Sequence, residues 1–174
     1  QVNEETVIET IHPDKDADGL HPENMGRLMA GMPRFVSGTP AGVQQMLIRS
    51  GYDPSGQHVV ICGRSNIVGK PLANLLMQRD DGSNSTVTVC HTRTRDIIDL
   101  TRQADVIVAA MGVPEFVTGE MVREGVVAID VGINRVDAPG RKRGYRLVGD
   151  IHYESVAEKA AAITPVPGGV GPMT

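Results

Sequence analysis

The stretch HPDKDADG, residues 12–19, alternates Asp14, Asp16 and Asp18 and closes on Gly19, as the start of a calcium-binding loop does. A calcium loop beginning at Asp14 needs a bidentate acid at its twelfth position, and that residue is Met25; its ninth is Pro22. The metal reading is therefore set aside, and Asp14 and Asp16 are expected to form a solvated acidic turn. Asp18 stands apart from them: next to a glycine that lets the backbone turn sharply, it can offer a carboxylate to a ligand. The five histidines, His12, His21, His58, His91 and His152, lack ligand spacing, so no metal is expected.

A second group of residues could hold an anion. The β-branched run HVVICG (58–63) empties into GRSNIVGKP (63–71). This is not the G-x-G-x-x-G fingerprint, but the physics is similar. Gly63 permits a tight turn, Ser65 offers a hydroxyl, and Val68 and Gly69 open the next helix, where free N–H groups attract phosphate. The following strand, TVTVCH (86–91), ends in HTRTR. A site preferring NAD would place Asp or Glu here to bind the ribose hydroxyls. Asp80 and Asp81 precede the strand and belong at its opposite end. Thr92 and Arg93, joined by Arg64, instead supply a hydroxyl and two guanidinium groups suited to a 2′-phosphate, so NADP is the expected dinucleotide.

Alternating elements must position these groups. Thr39-Pro40 reads as an N-cap with proline at the first helical position, and the helix runs through Val43, Met46, Leu47 and Ile48 to a stop at Gly51. Strands are expected at 58–63, 86–91, 105–112 and 126–134, with helices at 67–79, 96–103, 118–125 and 152–161. Continuous apolar strands separated by helices imply a parallel sheet covered on both faces, a doubly wound α/β domain. DAPGRKRGYRL, with Arg141, Lys142 and Arg143 around turn glycines, reads as a solvated loop or hairpin tip.

The bulk numbers fit one principal domain. The chain has 174 residues, 40% hydrophobic, with net charge -4 and scattered basic residues, which argues against nucleic acid or an anionic membrane as partner. The two cysteines, Cys62 and Cys90, sit in apolar runs and read as small buried hydrophobes, pointing to a reducing, cytoplasmic compartment. No apolar run approaches membrane-spanning length.

Taken in order, HPDKDADGLHPENMGRL, TPAG, GRSNIVGKP, DVGIN, VGD and ITPVPGGVGPMT resemble the bifunctional methylenetetrahydrofolate dehydrogenase/methenyltetrahydrofolate cyclohydrolase family, and the resemblance runs through essentially the whole chain. It implies a Rossmann-like NADP domain, residues 38–163, with residues 1–37 and 164–174 forming part of a second, folate-side α/β domain. It implies NADP-dependent oxidation of methylenetetrahydrofolate and hydrolysis of the methenyl product to formyltetrahydrofolate. Asp18 matches an aspartate that contacts the pterin, and Pro167, Gly168 and Gly169 a loop bordering the folate. Gly63, Arg64 and Ser65 match the cofactor turn, Thr92 a position near the 2′-phosphate, Ile133 a nicotinamide-side contact, and Thr174 a contact to the nicotinamide amide. A homodimer is implied by the resemblance alone.

The pattern breaks in one place. Such enzymes carry a Tyr-x-x-x-Lys pair for the cyclohydrolase step, and the residues four after Tyr52, Tyr145 and Tyr153 are Gly56, Gly149 and Ala157. The V-Q-L-P substrate segment is likewise missing. The chain is therefore expected to be part of a longer enzyme, its amphipathic opening QVNEETVIETI cut from a larger folate-side domain. The competing reading is a dinucleotide-binding module or NADP sensor without catalysis.

Overall fold

The computed structural model describes residues 3–141 and 143–174; Gln1, Val2 and Lys142, which the readings of the opening segment and of the basic loop include, lie outside the described residues. The elements run α1 (Glu4–Thr10), α2 (Pro22–Met29), α3 (Gly38–Arg49), β1 (His58–Cys62), α4 (Gly69–Leu76), β2 (Thr86–Cys90), α5 (Ile97–Arg102), β3 (Val106–Ala109) and β4 (Val127–Asp130). They continue with β5 (Asn134–Asp137), β6 (Tyr145–Val148), α6 (Tyr153–Ala157) and β7 (Ala162–Ile163). None of the described helices is long and apolar enough to cross a membrane.

The expected parallel α/β sheet is present, with strand order β2-β1-β3-β4-β7. The period of two along each strand sends alternate residues to opposite faces. Val59, Ile61, Val106, Val108 and Ile129 pack against Val43 and Leu47 of α3 and Leu72 and Leu76 of α4. Val60, Cys62, Ile107, Ala109 and Ala128 pack on the other side with Cys90, Val117, Met121 and Val156. Because both faces are covered, the central strands read as unbroken apolar runs, while β2 at the edge leaves Thr86 and Val89 exposed. The chain leaves β1 for β2 on one side and returns as β3 on the other, so the order reverses at the carboxyl ends of β1 and β3.

Two local readings are corrected. The segment 118–125 is not a helix but a single three-ten turn, Gly119–Met121, followed by Val122 in extended conformation. Met121 and Val122 are both buried, and Arg123 reaches back to the Ala104 carbonyl at 2.9 Å. Burying adjacent residues while turning a third outward suits extended chain better than a helix with one apolar stripe. Helix α3 begins at Gly38 with Ser37 at the cap, two residues before the expected start, and Thr39 turns its hydroxyl to Thr174 instead. The basic loop is the tip of an antiparallel hairpin in which Asn134 pairs Val148 and Asp137 pairs Tyr145.

The amino-terminal segment lies on this domain. Helix α2, capped by His21 and opened by Pro22, packs on α4, with Gln78 Nε2 donating to the Leu28 carbonyl at 2.9 Å. In α1, Val7 and Ile11 stay exposed. The acidic turn is only half as expected. Asp14 is exposed and pairs with Arg34, but Asp16 is buried, 6% exposed, and accepts hydrogen bonds from the amides of Leu20 (3.1 Å) and His21 (2.8 Å) and from Asn24 Nδ2 (2.8 Å). The turn's backbone needs an internal acceptor, and the shortest acid at this spacing supplies it.

Burial by itself would raise the Asp16 carboxyl, yet the hydrogen bonds from Asn24, His21 and Leu20 together hold it below the ordinary value of 3.8. A depressed carboxyl contributes stability above its unfolded value and loses it as the pH falls through the folded one. The stability advantage of this chain over Asp16→Asn should therefore be complete above about pH 4 and shrink below it, as read from urea midpoints at stepped pH.

Candidate functional site

The site is built on the carboxyl edge of the sheet. Hydrogen bonds continue one step past the strands, from Gly63 N to Cys90 O (2.8 Å), Ala110 N to Cys62 O (2.7 Å) and Val131 N to Ala109 O (2.9 Å). The loops after four neighbouring strands therefore start at one level. Gly63 sits at the strand-order reversal with φ of +133°, and a Cβ there would strike the Ala110 carbonyl. A Cβ on Gly69 would strike the Gly63 carbonyl. The two glycines are thus required by strand-to-strand and helix-to-strand approach.

Between them, the amides of Arg64, Ser65, Asn66 and Ile67 donate to no acceptor among the described residues. Ser65 Oγ accepts from Val68 N at 3.1 Å, so this hydroxyl closes the turn and keeps its proton for a further acceptor. Val68 itself is buried. Next to this turn, His91 holds a compact bend: its amide donates to Thr94 Oγ1 (2.8 Å) and its Nδ1 accepts from Arg93 N (3.1 Å). Thr92, Arg93 and Arg64 are exposed, and neither arginine has an acidic partner among the described residues. The three residues expected to meet a 2′-phosphate all follow the adjoining carboxyl ends of β1 and β2.

The opposite half of the edge is organised by two buried carboxylates. Asp130 Oδ1 accepts from the amides of Gly132 and Asp150, both at 2.9 Å, and its Oδ2 from Ile151 N at 2.9 Å. Asp150 Oδ2 accepts from Met111 N (2.6 Å) and Gly112 N (2.7 Å), while its Oδ1 accepts from Asn134 Nδ2 (2.7 Å). Burial raises the Asp130 carboxyl above its ordinary value, opposed by those three amides and reinforced by the Asp150 charge. Beneath them the Cys62 thiol is pushed up to about 12 by burial, with Cys90 and Asp150 adding to it. Both cysteines are buried in the apolar core.

Thr164 Oγ1 accepts from Asp130 N at 2.8 Å and ties in the last loop. That loop carries Pro167, Gly168 and Gly169, and together with Ile133 it lines a cleft of about 200 Å³. Ile133 is 62% exposed toward solvent. Thr174 Oγ1 lies 3.1 Å from Thr39 Oγ1 at the start of α3. Asp18 is exposed, follows the Asp16 bend, and is not among the residues lining the cleft. Gly19 after it has φ of +67° and would bring a Cβ to 3.0 Å from the Phe35 carbonyl.

The family model for the tetrahydrofolate dehydrogenase/cyclohydrolase NAD(P)-binding domain matches residues 37–174. The chain belongs to that family. It is 60% identical over 173 residues to the bifunctional protein FolD of Salinibacter ruber, covering 99% of this chain and 58% of that protein. Among solved structures, the bifunctional FolD enzyme of Campylobacter jejuni superposes with a TM-score of 0.89 at 44% identity, over 98% of this chain and 57% of that one. The Trypanosoma brucei methylenetetrahydrofolate dehydrogenase-cyclohydrolase, solved with NADP and an inhibitor, gives 0.90 at 41% identity, over 99% and 58%. The chain thus spans a little under three fifths of the length of these family members.

The turn on which the dinucleotide readings fall has open amides among the described residues. Sequence reasoning missed the polar cluster of Asp130, Asp150, Asn134 and Thr164. Its signal was present in DVGIN and VGD, where an acid lies within two residues of a glycine, but nothing local pairs the two motifs. Replacing Asp150 with Ala leaves two amides and the Asn134 side chain without an acceptor and should cost about 3 kcal/mol in chemical denaturation. Asp150→Asn should cost about 1 kcal/mol or less, because the Asn134 amide can rotate to present its oxygen.

Proposed function

We propose that the protein carrying this chain oxidises methylenetetrahydrofolate to methenyltetrahydrofolate with NADP, and that residues outside these 174 hydrolyse the product to formyltetrahydrofolate. The observation that carries the reading is the pairing, on one sheet edge, of a turn with open amides, flanked by two guanidinium groups that have no acidic partner among the described residues, with a cleft bordered by Ile133 and the Pro167–Gly169 loop. In this reading residues 38–163 hold the dinucleotide, and residues 1–37 and 164–174 belong to the folate side. Homodimerisation and a cytoplasmic setting complete it, supported by the family likeness and the two buried free thiols.

The residues fit the cofactor: four amides without an acceptor among the described residues suit a pyrophosphate, and Arg64, Arg93 and Thr92 suit a 2′-phosphate with no carboxylate in residues 91–95 to repel it. NADP supplies the hydride acceptor. What the chain must do is hold two flat rings face to face and keep water from between them, a matter of positioning more than of acid-base power. Ile133 presents an apolar side chain to one ring. Gly168 and Gly169 let main chain come close to the other. Asp18 accepts hydrogen bonds from pterin N–H groups and fixes its orientation.

Arg64→Ala should weaken NADP binding about tenfold or more while changing NAD binding by about twofold or less, measured by titration against each dinucleotide. Equal losses would remove the 2′-phosphate assignment. Asp18→Asn should slow the formation of methenyltetrahydrofolate, followed by its absorbance, by about tenfold or more with NADP affinity unchanged. A parallel loss of NADP affinity would contradict the placement of Asp18 on the folate side.

A further inference from the structure

Pro167, which borders the Ile133 cleft, also closes a second cavity of about 340 Å³ whose other walls are Arg141, Arg143, Tyr145, Arg146 and Leu147. The basic hairpin tip therefore faces the same loop that the folate reading places against the substrate, and is not merely a solvated turn. Its charges are unequally satisfied. Arg146 pairs with Glu115 at 3.2 Å, and the Arg135 guanidinium lies 5.0 Å from the Tyr145 ring centroid, with Asp137 opposite Tyr145 in the hairpin register. Arg141 and Arg143 have no acidic partner among the described residues. Two unpaired guanidinium groups above apolar walls of Tyr145, Leu147 and Pro167 suit a ligand with methylene stems and spaced carboxylates.

A folate has one such part. Its pterin is flat and uncharged, while its tail is one or more glutamates, joined through their side chains, and it must leave the pterin cleft toward solvent. We propose that the hairpin cavity is a subsite for the glutamate tail of a folate seated against Pro167–Gly169, an inference that rests on the folate reading above. The tail's carboxylates pair with Arg141 and Arg143, and each added glutamate extends the contact. The pairs are solvent-exposed, so the gain is moderate and falls with salt.

The test is calorimetric titration of the full-length protein carrying this chain, saturated with NADP, with tetrahydrofolate carrying one glutamate and with its triglutamate form. The triglutamate should bind about fivefold more tightly at low salt, and the gain should disappear in the Arg141→Ala/Arg143→Ala double variant. Unchanged NADP affinity in the variant shows that the domain is intact. Equal affinity for the two folates, or a gain that survives in the double variant, overturns the subsite while leaving the folate reading standing. Binding of NADP with no binding of either folate removes both.

Discussion

The acceptance of five backbone amides by the carboxylates of Asp130 and Asp150 is the constraint on which the carboxyl edge depends. Three loops without regular structure meet there, after β3, β4 and β6, and buried main-chain donors must find partners. An ionised carboxylate offers acceptors and no donors, so two of them satisfy five amides and the Asn134 side chain in little volume. The arrangement also dictates its glycines. A Cβ on Gly132 would collide with the Asp150 carboxylate, and one on Gly149 with that of Asp130. Acid and glycine therefore occur close together in DVGIN and VGD because each acid occupies the space that the other motif's glycine leaves open.

The same accounting explains where an anion can go. Loops follow β1 and β3 at the level where the strand order reverses, and both carry main-chain amides that need acceptors. After β3 the amides of Met111 and Gly112 are consumed by Asp150. After β1 those of Arg64 to Ile67 are left open among the described residues, while Ser65 ties the turn to the start of α4. The internal satisfaction of the loop after β3 thus leaves the turn after β1 as the one of the two with amides open to an anion among the described residues. The arginines beside that turn add charge without losing it to a local carboxylate.

A parallel division separates Asp16 from Asp18. Two residues apart in a bend, one is turned inward, where it holds the amides of Leu20 and His21 and the Asn24 side chain, and the other is left outward without a partner among the described residues. The inward acid makes the bend rigid and so gives the outward one a defined position. The Gly19 conformation that follows, with the Phe35 carbonyl close by, keeps bulk away from the same spot.

By itself the sequence determined the parallel sheet, since β-branched runs buried on both faces carry no polar alternation, and it pointed to the turn after β1 whose amides are open among the described residues, since a strand, a glycine and a helix start are neighbours in the chain. It also disclosed the basic, acid-free end of β2 and the family to which the chain belongs. Only the tertiary structure decided which polar groups are buried together: Met111 and Asp150 are 39 residues apart, and Asp130 and Asp150 are 20. It likewise replaced the expected helix at 118–125 by a turn, and turned Asp16 inward. These outcomes depend on which surfaces come to rest on a segment after folding, and local periodicity and propensity carry no information about partners so distant along the chain.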